Sequence, residues 1–192
     1  AIFGYSIRKR SMRKIKLFGI LALIAITTGC ANAPITLNYA PSSTMSAEGE
    51  LKVGDFKYLP GENNPKVKPN QIRNTALGSV LLEKNVDEYF ETALFIESRF
   101  IGLKVKESSN VVSGEIIEFL IDDLGYSIDW TLEVKYLVSN GTGSECYNKV
   151  HKIEKKTAKF ANPFGILNEI MKLNIEKAFA DADFISCVPN QS

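Results

Sequence analysis

His151 is the only histidine in the chain, so any His-based nucleophile or proton relay would have to be assembled around it. No serine motif stands beside it, and Cys146, five residues earlier, would point to the opposite face of a regular strand. The sequence therefore predicts a surface histidine. Cys146, His151 and Glu154 also lack the spacing of metal ligands, and the other carboxylates do not cluster with them. Asp122 and Asp123 offer paired carboxylates, the equipment for acid–base work. Neighbours on a strand face opposite ways, however, and D-D-L-G is ordinary turn chemistry. Gly102, Gly114, Gly141 and Gly143 do not assemble into a phosphate loop. The expectation is a protein with no catalytic residue, no metal and no cofactor.

Cys30 carries the clearest chemistry. Ahead of it, Arg13, Lys14 and Lys16 form a cationic run, and Leu17 to Ile26 is a stretch without a polar side chain. That stretch has the length of a signal-peptide core and is well short of the roughly 20 residues that span a bilayer. Thr27, Thr28 and Gly29 are small, and the whole resembles the lipobox of bacterial lipoproteins, with Thr27 where an aliphatic residue is usual. The resemblance implies cleavage before Cys30, acylation of its thiol and amino group, and, with Ala31 rather than Asp after it, the outer membrane. The alternative is ordinary cleavage near Gly29, which leaves a free thiol. Residues 1–11 precede Met12 and are read as upstream sequence. The chain is thus parsed as 1–29 upstream residues and signal, 30–34 tether, 35–188 a single domain, and 189–192 a tail.

Removing the signal changes the charge. Six of the 23 Lys and Arg residues, and none of the 22 acidic ones, lie before Cys30, so residues 30–192 carry 17 against 22, a net charge of −5. This excludes the basic excess that a phosphate backbone needs, and nucleic acid is not an expected partner. Cys146 and Cys187 are then an even pair in a compartment that permits disulfides. A bridge would close a loop of 42 residues and contribute about 3–4 kcal/mol by loop entropy. Two small buried apolar residues is the alternative reading.

Alternation of apolar and polar residues predicts strands at 35–39, 51–58 and 128–138, β-branched content predicts one over 111–124 with a bulge at Gly114, and the Asn140–Gly141 turn predicts a more polar return strand at 145–156 as a sheet edge. The Pro- and Asn-rich 59–74 run reads as a long exposed loop, either a contact surface or a plain connection. One helix is expected from Asn85, whose side chain would cap it, to a stop at Gly102. A second is expected from Asn162–Pro163 to about Ala180. The sum is an α+β fold, an antiparallel sheet with two helices packed on one face.

V-G-D-F at Val53–Phe56, N-V-D-E-Y-F at Asn85–Phe90, S-G-E-I at Ser113–Ile116 and the strand around Trp130 resemble the YajG-type family of bacterial lipoproteins. More distantly, the layout is similar to the auxiliary lipoproteins of envelope lipid-transport systems. The resemblance brings no catalytic residue. It implies a lipid-anchored, periplasm-facing binding or assembly module, with the membrane and an envelope protein complex as partners. The alternative is a carrier of a lipid or other hydrophobic ligand, which would need an apolar cavity between helix and sheet.

Overall fold

In a computed structural model, residues 34–75, 80–159 and 161–190 are described, and they belong to one compact unit that starts at Pro34. Strand β1 (Glu50–Tyr58) leads into the short helix α1 (Leu59–Asn63). There follow β2 (Gln71–Asn74), β3 (Val80–Leu81), helix α2 (Val86–Phe100), β4 (Lys104–Val105), β5 (Val111–Asp122), β6 (Ser127–Ser139), β7 (Glu145–Ala158), helix α3 (Pro163–Phe179) and helix α4 (Ala182–Ser186).

The seven strands form one mixed sheet, which corrects the antiparallel expectation. β5, β6 and β7 do pair antiparallel. On its other side, however, β5 takes β1 along its first half and β2 along its second, both parallel. β4 extends β1 in parallel, and β3 closes on β2 antiparallel. A parallel neighbour needs a crossover connection of a dozen residues or more, and the segment between β1 and β5, which contains α2, supplies it.

β6 follows its sequence pattern closely: Ile128, Trp130, Leu132, Val134, Tyr136 and Val138 are all buried. In β5 the buried set changes parity, from Val112, Gly114 and Ile116 to Phe119 and Ile121. The register with β6 slips between Ile116 and Glu118, so one extra residue is absorbed there and the core face is kept. Gly114 is therefore not the bulge. The irregularity beside it lies in β1 between Val53 and Phe56, and the freed N–H of Phe56 is taken by Glu91 Oε1 at 2.7 Å. Gly114 is needed for another reason. A Cβ there would stand 2.0 Å from Lys135 O and 2.8 Å from the Phe56 ring.

Above the sheet, Phe90 of α2 meets Phe56 and Tyr136 at centroid separations of 5.1 and 6.1 Å, and Tyr136 meets Phe184 of α4 at 6.4 Å. The Tyr136 hydroxyl also donates to Asn174 Oδ1 of α3 at 2.8 Å. Asn174, fully buried, spends its amide on Leu132 O and His151 O, so its polar groups are satisfied by β6 and β7.

The helix ends split the capping expectations. Asn162 Oδ1 accepts from Phe164 N and Gly165 N, as its position predicts. Asn85 caps no backbone donor and instead gives its amide to Glu88 Oε1 at 3.1 Å. Gly102, at φ +107°, ends α2 in the left-handed region.

Two stretches differ from their reading. The 59–74 run is no long exposed loop, since α1 and β2 occupy much of it and Val67 and Ile72 are buried. Residues 35–39 keep the expected alternation, with Tyr39 buried and Thr36 and Asn38 exposed. They are nevertheless not a strand, because their sole ladder contact is a parallel bridge from Ile35 to Leu82.

Candidate functional site

Two groups of side chains concentrate the polar chemistry of the domain. The first lies where β7 meets α4. His151 is 8% exposed, which corrects the expectation of a surface histidine. It sits four residues after Tyr147 on the same strand face, stacked against that ring at 17° and edge-on to Tyr136. The Tyr147 oxygen lies 2.6 Å from His151 Nε2 and 3.0 Å from Asp181 Oδ2. With the hydroxyl proton on Asp181, the shorter contact is a hydrogen bond in the Nε2-protonated tautomer of His151. Lys149 reaches both Asp181 and Asp183, at 2.8 and 2.7 Å. These bonds hold the Asp181 carboxyl below its usual range and the Lys149 ammonium above its own. Burial lowers His151, more than Asp181 raises it, and burial likewise raises Tyr147.

Cys146 and Cys187 are joined, with Cα atoms 5.9 Å apart. The local reason is a register slip between Val138 and Ser139: Tyr147 pairs with the first and Glu145 with the second, leaving Cys146 as the extra residue. A bulge re-aims its side chain. With its sulfur occupied, Cys146 offers His151 no nucleophile. Glu154 is exposed and paired with Lys152, and among the described residues no three His, Cys, Asp or Glu side chains could share a metal ion. The arrangement can tie β7 to the C-terminal segment. That segment is also held elsewhere: Glu50 N donates to Val188 O, and the Asn110 amide to Pro189 O.

Asp122 and Asp123 part company. Asp122 Oδ1 accepts from Thr75 Oγ1 and Leu124 N, a turn arrangement, whereas Asp123 is buried against Lys159 Nζ at 3.1 Å.

The second group lies along residues 35–47, which cross the helices as a strap. Ile35 N donates to Leu81 O, and Glu83 N to Ile35 O. The Asn168 amide of α3 donates to Asn38 O, and the Asn168 carbonyl accepts the Tyr89 hydroxyl of α2. Glu97 of α2, 1% exposed, takes the Tyr39 hydroxyl at 2.6 Å and Ser42 N at 3.1 Å on one carboxylate oxygen. Ser43 Oγ donates to Glu176 of α3, and Ala47 N to Ile101 O. Under the strap is a cavity of about 170 Å³, bordered by Leu37, Tyr39, Leu82, Tyr89 and Ile96. Beside it opens a shallow groove of about 350 Å³ lined by Pro41, Phe95, Ile96, Arg99 and Phe100. Residues 35–39 read as a strand in the sequence, and the rest of the strap escapes sequence reading because the Ser-rich run from Pro41 carries no period. Cys30 lies outside the described residues.

No family model matches the chain, and no curated protein matches it in sequence. Among solved structures, protein XCC0632 of Xanthomonas campestris, a DUF330 protein, superposes with a TM-score of 0.61 at 8% identity, over 80% of this chain and 96% of that one. The hypothetical protein CT253 of Chlamydia trachomatis superposes with a TM-score of 0.51 at 11% identity, over 72% and 98%. The likeness is one of fold: this chain has the α+β architecture of those two proteins.

Proposed function

We propose that this protein is an envelope lipoprotein, acylated at Cys30 and held at the periplasmic face of the outer membrane, whose domain works without catalysis by binding or assembling with an envelope protein complex. The observation that carries this reading is the strap. It begins five residues after the cysteine of the lipobox-like segment and is fastened at Ile35, Asn38, Tyr39, Ser42, Ser43 and Ala47 to both long helices or their flanking segments. An anchor at Cys30 would therefore be tied to the body of the domain. The resemblance of its motifs to those of YajG-type lipoproteins supports the same role, and Ala31 supports the outer membrane. Among the described residues no helix is long and apolar enough to cross a membrane.

The carrier alternative has less behind it. The space between α2 and the sheet is taken by Phe56, Phe90 and Tyr136, and the cavity under the strap is smaller than the roughly 300–1,000 Å³ of ligand pockets. Metabolic labelling with palmitate tests the proposal. The wild-type chain is expected to take up label, to fractionate with the outer membrane and to co-purify with its partners, and Cys30→Ser to lose label and membrane association. A Cys30→Ser chain that stays on the membrane with all its partners would undo the reading.

A further inference from the structure

We propose that the C-terminal half of α2, at the groove of Phe95, Ile96, Arg99 and Phe100, rests on the bilayer that the Cys30 acyl chains enter. The proposal rests on acylation at Cys30. The short tether keeps the near end of the strap, and with it α2, close to the bilayer. Only four residues, Ala31 to Pro34, separate Cys30 from Ile35, a span of at most about 18 Å over five residue steps when fully extended. Ile35 is held beside Leu81 and Glu83, just ahead of the N-terminus of α2, and from there the strap runs along the helix to its C-terminal half, where Pro41 forms one wall of the groove.

The chemistry of the groove is that of a membrane interface. Phe95 and Phe100 are 39% and 55% exposed on a helix whose other apolar side chains are buried or half-buried. Scattered apolar residues on a surface need no explanation, but here two rings, Ile96 and Pro41 share one open groove. The Arg99 guanidinium lies over the Phe95 ring, 5.6 Å from its centroid, and has no acidic partner among the described residues. Lys104, exposed just beyond Gly102, has none either. Of the acidic residues of the helix, Asp87 and Glu88 stand at the opposite end, Glu91 turns to Phe56 N, and Glu97, in the same half, is buried against Tyr39 and Ser42. Rings buried at the acyl boundary with cations at phosphate level is how an interfacial helix binds an anionic bilayer. The occupant is therefore the lipid surface rather than a peptide or a second copy of the chain.

The test uses the full acylated protein in vesicles of phosphatidylethanolamine and phosphatidylglycerol, with and without bromine on the acyl chains. Bromine quenches an indole only at close range. Phe100→Trp, with Phe95→Trp as a second site should the first fail to fold, is compared with Tyr126→Trp on the fully exposed β5–β6 turn. The buried Trp130 contributes the same background to all. The expected result is that the added fluorescence at 95 or 100 is largely lost in brominated vesicles, that the signal at 126 is unchanged, and that Arg99→Glu restores part of the loss. A vesicle-bound chain with no quenching at 95 or 100 overturns the proposal and leaves the anchor standing. Equal quenching at 126 overturns it too, as does an indole at 95 or 100 that is shielded by self-association without lipid. A chain that fails to stay on vesicles overturns the anchor reading and this proposal with it.

Discussion

Desolvation is the largest influence on His151, and its effect on stability has a definite direction. The ring is walled by Tyr147 and Tyr136, with Lys149 and Lys177 opposing its charge and Asp181 favouring it, and its folded pKa is lowered from the ordinary value near 6.5. Above pH 6.5 the ring is neutral in both folded and unfolded chains and costs nothing. As pH falls below 6.5 the unfolded chain takes up a proton that the folded chain resists, so stability is lost until the folded pKa is passed. The urea midpoint is therefore expected to drop as pH falls below about 6.5, and in His151→Phe that part of the slope should flatten. A wild-type midpoint constant through this window would show that the ring titrates normally. Asp181 acts lower on the scale. Lys149 depresses its pKa, so its contribution is present above the ordinary carboxylate range and is lost as pH falls through the folded value. The burial of His151 was half legible: Tyr147 and His151 share strand parity, but the lysines between and beyond them hid the apolar face.

At the scale of elements, β1 and β6 could be read from a period of two, β5 from its β-branched content and β7 from the Asn140–Gly141 turn that precedes it. Their pairing could not, because alternation is the same for a parallel and an antiparallel neighbour. Short elements escaped for want of length: α1 and α4 have five residues each, and β2 offers Ile72 as its one buried side chain. The same limit hid the junction of β7 with α4, where a bulge at Cys146, the Tyr147–Asp181 bond and the Lys149 pairs converge on the seven residues from Asp181 to Cys187. The Cys146–Cys187 bridge is expected to hold that junction. Non-reduced intact-mass analysis should find no free thiol at either position, and Cys146→Ser with Cys187→Ser should lower the stability to unfolding by up to about 3–4 kcal/mol, as loop entropy sets the ceiling. Because the loss is local in the native state, amide exchange in Ala182–Ser186 should accelerate before that in β6. Two free thiols in the untreated protein would remove the bridge from the account.

Charge and tether act on the molecule as a whole. Residues 30–192 carry a net −5, which an anionic bilayer repels, so contact at the α2 groove depends on Arg99 and the apolar side chains beside it and on an anchor that keeps the groove near the surface. Tether length is thus part of the binding surface. Inserting about twelve Gly and Ser residues between Ala33 and Pro34 raises the root-mean-square reach of the segment to about 20–24 Å and lowers the effective concentration of the groove at the lipid. Nothing in the strap or the core is altered by the change. Palmitate labelling, outer-membrane retention and the unfolding midpoint are expected to stay as in wild type, whereas bromolipid quenching of Phe100→Trp should weaken. The check is to measure all four on one preparation. Weakened quenching with an intact anchor assigns the contact to proximity, and unchanged quenching would mean that the groove holds the bilayer by its own affinity.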